Sequence, residues 1–141
     1  MLFPLSIPTI RAMTDSTAVE NGYSMKEICL ETGLSEDTLR YYERDGLLSE
    51  VRRLPNGHRR FSTHDLEWLK FVICLRSTGM PLKKIRKYRE LMMEGDRTAS
   101  ERKELLICQK ENILREIRTM NEALERLDYK IEYYRQIEET L

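Results

Sequence analysis

The sequence predicts a mainly α protein, with two short helices, a small β-hairpin, two further helices and one long C-terminal helix. Three observations predict it. Helix-cap residues recur from Ser24 onward, each followed by a glycine stop. An Asn-Gly dipeptide, Asn56-Gly57, lies between two arginine pairs. After Gly95 neither glycine nor proline occurs, and apolar residues recur on a seven-residue period.

The chain of 141 residues has room for one compact domain of about 80 to 100 residues and an appended element. Its 34% charged residues exceed the roughly 25% of an average domain, as long solvated helices require. Lys+Arg and Asp+Glu both number 24, so the net charge is zero. The distribution is uneven. Between Val51 and Arg89 eleven basic residues stand against Asp65 and Glu67, a block of +9 offset by −9 elsewhere. Such a block suits an anionic partner.

Residues 1–22 show no sustained period and are rich in turn formers from Thr14 to Gly22, a flexible leader. Ser24 caps the first helix, Glu27 completes a capping box, Ile28 points inward and Gly33 ends it. Ser35 caps the second, over Glu36–Arg44, which stops at Gly46. Two short helices joined at Thr32-Gly33-Leu34 form a helix-turn-helix pattern, one that many all-α cores share. The stretch from Leu47 to Phe61 pairs across Asn56-Gly57 as a hairpin carrying Arg52, Arg53, Arg59 and Arg60. Ser62 caps a third helix to about Ser77, with Asp65 closing the capping box. Thr78-Gly79 ends it, and Pro81 opens a fourth helix that Gly95 closes. This helix carries Lys83, Lys84, Arg86, Lys87 and Arg89, a second candidate phosphate-contacting element beside the hairpin.

From about Thr98 the repeat places Leu106, Ile113, Met120, Leu127, Tyr134 and Leu141 on one line. Lys110, Ile117, Leu124, Ile131 and Glu138 lie on the line beside it. Nine of these eleven are apolar or aromatic, the pattern of a coiled coil. The helix is roughly 60 Å long. A domain of about 75 residues has a radius of gyration near 11 Å and cannot cover it, so a second copy of the chain is expected to.

Cys29, Cys74 and Cys108 lie far apart, an odd number with no C-x-x-C pair or metal-like cluster, which suits a reduced cytoplasm. Met1 to Ile10 is apolar but broken by Pro4 and Pro8 and lacks the layout of a secretory signal. No stretch reaches the length of a membrane span, and no cofactor or metal is expected.

Leu34 to Leu48, with Leu39-Arg40-Tyr41-Tyr42-Glu43 at its centre, closely resembles the recognition-helix signature of the MerR family of bacterial transcription regulators. Asn56-Gly57-His58-Arg59-Arg60-Phe61-Ser62, with Asp65-Leu66 behind it, resembles that family's first wing and its entry to helix three. The resemblance implies a winged helix-turn-helix DNA-binding domain over 23–95 and an antiparallel dimeric coiled coil over 96–141. It also implies a homodimer on a dyad site in double-stranded promoter DNA, distorted so that RNA polymerase holoenzyme can transcribe. The DNA-binding residues it implies are Ser35, Thr38, Arg40, Tyr41, Arg52, Arg53, Asn56, Gly57, His58, Arg59 and Arg60. The dimer residues are Leu106, Ile113, Ile117, Met120, Leu124, Leu127, Ile131 and Tyr134. His58 and Phe61 stand where the family often has tyrosine. The first substitution alters one phosphate contact; the second loses a hydroxyl and keeps the packing.

The chemistry of the residues agrees. Thr38, Arg40 and Tyr41 offer a donor/acceptor, a fork of donors and a phenol to bases or phosphates. Tyr42 and Leu39 have the spacing of core residues, and arginines on an arbitrary hairpin are usually just solvated.

Phe71 to Met80, followed by Glu94-Gly95-Asp96-Arg97-Thr98 and Arg102-Lys103, resembles the aldehyde- and electrophile-responsive, AdhR/NmlR-like subgroup. That resemblance implies a reactive thiol at Cys74. Near an unperturbed pKa of about 8.5 only about 3% of a thiol is ionised at neutral pH, so a nearby cation is needed; Lys70, Arg76 and Arg97 are the candidates. Against this, Cys74 lies among Phe71, Ile73 and Leu75, and free cysteine is often a core residue. Cys29 has the setting of a core thiol, and Cys108 opens the coiled coil. Tyr129, Tyr133 and Tyr134 offer an alternative, non-covalent effector pocket, unless they are solvent-facing or part of the dimer seam. A coiled-coil interaction module is the competing class of function. An enzyme is not expected, because His58 and His64 have no nucleophile at a matching spacing.

Overall fold

The computed structural model describes residues 22–48 and 51–141; the leader expected over 1–22 lies outside them except for Gly22. Contacts divide the chain into two compact units that part between Arg86 and Lys87.

The first unit begins with α1 (Met25–Thr32) and α2 (Glu36–Arg44). Ser24 accepts from the Glu27 backbone N–H at 3.1 Å while Glu27 accepts from the Ser24 N–H at 3.5 Å, the predicted capping box. Gly33 ends α1 at φ 73°, a left-handed conformation that favours glycine. Ser35 then caps α2 by accepting from Thr38 N–H at 3.1 Å. Leu39 and Tyr42 turn inward from α2 and Ile28 from α1, all buried.

The hairpin pairs β1 (Arg52–Arg53) with β2 (Arg59–Arg60), antiparallel, in the register Arg52 to Arg60 and Arg53 to Arg59. Its turn differs in detail from a two-residue Asn-Gly turn. Gly57 N–H donates to Leu54 C=O at 2.8 Å and Leu54 N–H to His58 C=O at 2.8 Å, so Pro55-Asn56 form the turn and Gly57, at φ 85°, follows it. Proline is the reason. An Asn-Gly two-residue turn needs a ladder N–H from residue 55, which Pro55 lacks, whereas its fixed φ suits the second position of a four-residue turn.

Tyr23 and Phe61 exchange backbone hydrogen bonds of 2.6 and 2.7 Å, tying the base of the hairpin to the start of α1. This pairing joins segments 38 residues apart, and no local pattern announced it. Ser62 and Asp65 cap α3 (Thr63–Ser77) reciprocally, at 3.0 and 2.9 Å. The helix buries Leu66, Trp68, Leu69, Val72 and Leu75. The buried Trp68 indole N–H donates to Leu47 C=O at 2.8 Å, using a carbonyl just past α2. Met80 and Ile85 complete this core as α4 (Leu82–Met93) begins.

In the second unit the remainder of α4 leads through a short 3-10 turn, Asp96–Thr98, into α5 (Ala99–Thr140). Gly95 has φ 89°. The buried Thr98 hydroxyl faces the Leu91 and Gly95 carbonyls, and Arg102 donates to Thr98 Oγ1 at 3.1 Å and to Gly95 C=O at 3.2 Å. Tyr88 is half-buried, which pushes its phenol up, with Arg102 acting in the opposite direction. The 42 residues of α5 extend about 63 Å. Its apolar residues are largely uncovered: Ile117, Met120, Leu124, Leu127, Ile131 and Tyr134 are all exposed, and Leu106 and Ile113 are half-buried.

Candidate nucleic-acid interface

The candidate interface is built on α2 and the hairpin. Ser35 is spent on the helix cap, and its hydroxyl also lies 2.9 Å from that of Thr38. Thr38 is half-buried, and one turn further along the helix Tyr42 is buried while Tyr41 is 43% exposed. The two rings lie 6.1 Å apart, tilted at 51°. So one tyrosine anchors α2 and its neighbour faces outward, as the spacing suggested.

Arg40 folds back along α2. Its guanidinium reaches Glu36 at 2.9 Å and Asp37 at 3.2 Å, pairs that favour the helix but are weak in solvent. A phosphate or base edge would have to draw Arg40 from these carboxylates.

The four hairpin arginines are not equivalent. Arg59 Nε donates to Glu43 Oε2 at 2.9 Å, and Arg53 Nη2 lies 3.7 Å from Glu43 Oε1 while its Nη1 donates to Gly57 C=O at 3.1 Å. Arg60 donates to Gly22 C=O at 3.3 Å and approaches Glu27 at 3.7 Å. Arg52 is exposed and has no partner among the described residues. Asn56 accepts from His58 N–H at 3.0 Å, stiffening the turn, and the His58 side chain is exposed at its tip. A groove of about 400 Å³ opens between the start of α1, the start of α2 and the hairpin, with Lys26, His58 and Arg60 on its walls and Glu36 among them.

Arg86 is the one helix-four cation in the first unit that closes back on α2's end. Its Nη1 meets both Asp45 oxygens, at 2.8 and 2.7 Å. That hydrogen bond and charge push the Arg86 guanidinium up from its ordinary value, and Tyr41 adds in the same direction. Lys83, Lys84 and Lys87 are exposed.

Sequence reasoning placed Glu43 on α2 without a role, and Asp45 and Tyr23 went unnoticed. Their partners lie 16, 41 and 38 residues away, so no periodic signal marks them.

Of the three cysteines, Cys74 and Cys108 are exposed in this chain and Cys29 is half-buried. A buried core thiol at Cys74 is therefore not what the fold contains. Lys70, one turn away, lies 3.8 Å from Glu67, and Arg97 lies 2.9 Å from Glu94, so two of the three candidate cations already have a carboxylate. Burial pushes the Cys29 thiol up, Glu36 adds to the shift and Arg40 opposes it. Among the described residues no group of His, Cys, Asp and Glu could hold a metal ion. None of the described helices is long and apolar enough to cross a membrane.

Residues 23–91 match the MerR HTH family regulatory protein family, and residues 66–129 match the MerR DNA-binding family. An HTH-type transcriptional regulator of Haemophilus influenzae is 38% identical over 79% of this chain and 83% of its own length. The HTH-type transcriptional regulator AdhR of Bacillus subtilis is 34% identical over 64% of this chain and 65% of its own. Among solved structures, HiNmlR, described as a MerR family regulator lacking the sensor domain, bound to promoter DNA, superposes with a TM-score of 0.72. The identity is 38%, over 81% of this chain and 90% of that one.

Proposed function

Since this chain belongs to the MerR family of helix-turn-helix, DNA-binding transcriptional regulators, we propose that it binds a dyad promoter site as a homodimer and responds to reactive aldehydes through Cys74. The observation that carries the DNA-binding half is the placement of exposed Tyr41, with half-buried Thr38 and Arg40, on α2 beside a hairpin with four arginines. A helix held from behind by α1 can enter a major groove, and a basic hairpin can reach the flanking backbone. That HiNmlR is bound to promoter DNA supports a promoter-DNA partner for this chain.

The apolar line on α5 supports the homodimer. Each large apolar side chain moved from water to a packed seam contributes about 1.5 to 3 kcal/mol, so covering several of them outweighs the entropy of association. Distortion of the site and engagement of RNA polymerase holoenzyme are carried by the family resemblance.

Cys74 presents an exposed thiol on α3, whose other face forms the core behind the DNA-reading helices. Its thiolate adds to an aldehyde carbonyl: the S–C bond forms, the C=O π bond opens, and the oxygen takes a proton from water. The hemithioacetal enlarges this position and alters what can pack against it. The AdhR/NmlR-like resemblance of the stretch from Phe71 to Met80 implies this effector class.

The test is transcription by RNA polymerase holoenzyme from the upstream region of the gene for this chain, with and without formaldehyde or methylglyoxal, for wild type and Cys74→Ala. Aldehyde is expected to change transcription in wild type and not in the variant. An equal response in both proteins overturns the thiol mechanism and moves the effector to a non-covalent site, for which Tyr133, Tyr134 and Lys130 are available at the far end of α5.

A further inference from the structure

The Arg53–Arg59 pair poses an electrostatic problem. These residues sit directly opposite each other on β1 and β2, and like charges at opposed strand positions destabilise a hairpin. Here one carboxylate separates them. Glu43 Oε2 accepts from Arg59 at 2.9 Å, and Glu43 Oε1 faces Arg53 at 3.7 Å. Glu43 and Arg59 are each about one-fifth exposed, at 19% and 21%, so this pair is better shielded than the Arg40 pairs on the same helix. The other opposed pair is resolved differently. Arg60 turns to Glu27 and the Gly22 carbonyl, leaving Arg52 without a partner among the described residues.

Resting on the DNA-binding reading above, we propose that Glu43 is the positioning residue that fixes the wing against α2 through Arg53 and Arg59, and that Arg52 is the wing arginine that neutralises a DNA phosphate. A two-strand hairpin is marginal by itself, so its angle to α2 must be set by tertiary contacts. Glu43 sets it from the reading helix itself. Helix and wing then approach the duplex as one rigid unit, and the ordering is complete before binding.

This assignment has a sign that simple electrostatics does not share. Removing a carboxylate from a DNA-facing surface strengthens binding if charge alone matters. As a positioning residue, Glu43 weakens binding when neutralised.

The experiment uses the full chain and a duplex selected by the wild-type protein from a random-sequence pool. Affinities are measured across a salt series for wild type, Glu43→Gln, Arg59→Gln, their double variant and Arg52→Gln, with thermal unfolding recorded for each. Glu43→Gln and Arg59→Gln are each expected to lose about tenfold in affinity, and the double variant no more than either, because they remove one interaction. Arg59→Gln keeps the wild-type salt slope, whereas Arg52→Gln lowers it by about one. Phosphate-ethylation interference should fade at the wing contacts of Glu43→Gln and persist at those of α2, which general destabilisation would not produce.

Tighter binding by Glu43→Gln, additive losses in the double variant, or a slope lowered by Arg59→Gln as much as by Arg52→Gln each overturn the assignment. A wild-type protein that selects no duplex overturns the DNA-binding reading, and the assignment falls with it.

Discussion

Helices α3 and α5 both carry regular apolar positions, yet they end in opposite conditions. The 15 residues of α3 place Leu66, Trp68, Leu69, Val72 and Leu75 in a core, while the 42 residues of α5 bury only Gln109. The difference is one of supply. Around α3 the chain itself provides covering surface, from α1 and the segment after α2; along about 63 Å of α5 it provides almost none. A periodic apolar face therefore reports that a helix must be covered, and only the fold reports whether its own chain does the covering.

The strongest way to break this contrast is to make the α5 line polar. Ile117→Asp with Leu124→Asp should turn a dimer into a monomer by light scattering and lower dyad-site affinity by about a hundredfold or more, with the first unit still folded. A monomeric wild type would sink the dimer reading outright. Large losses of stability belong instead to α3. Trp68→Ala should lower unfolding free energy by about 3 to 5 kcal/mol by denaturant titration, since it opens a cavity and strands the Leu47 carbonyl. Tyr134→Ala, at an exposed α5 position, should stay within about 1 kcal/mol in dilute, monomeric conditions. An effect there as large as that of Trp68 would mean that the chain covers its own α5.

Smaller effects sharpen the picture. Ser62→Ala removes the cap of α3 and should cost about 1 kcal/mol, whereas no side chain caps α5 at Thr98, so the corresponding Thr98 change acts through its buried hydroxyl instead. Smallest is a difference between thiols. Burial raises the pKa of Cys29, so its thiolate fraction lags that of an ordinary thiol, and half-buried Cys29 should be alkylated more slowly than exposed Cys74. Peptide mapping after limited iodoacetamide treatment checks this; faster labelling at Cys29 would show that the burial is only transient.

Local chemistry was well written in the sequence. Ser24 with Glu27, Ser35, and Ser62 with Asp65 are caps that act over three residues, and all three helices start where those residues stand. Tyr42 inward and Tyr41 outward follows from helical spacing alone. The hairpin's arginine-bearing strands were also legible, but its turn was not, because Pro55 took the turn position that Asn56-Gly57 seemed to claim.

By itself, then, the sequence determined the helices, their caps and stops, the basic hairpin, and an apolar line on α5, because each depends on interactions within a few residues. Tertiary structure alone decided which arginines are already engaged, through Glu43, Glu27 and Asp45, and that Cys74 faces outward. It also decided that Tyr23 extends the hairpin's base. Those outcomes hang on partners up to 41 residues apart, and a charge or strand edge carries no local mark of which distant segment the folded chain will bring to it.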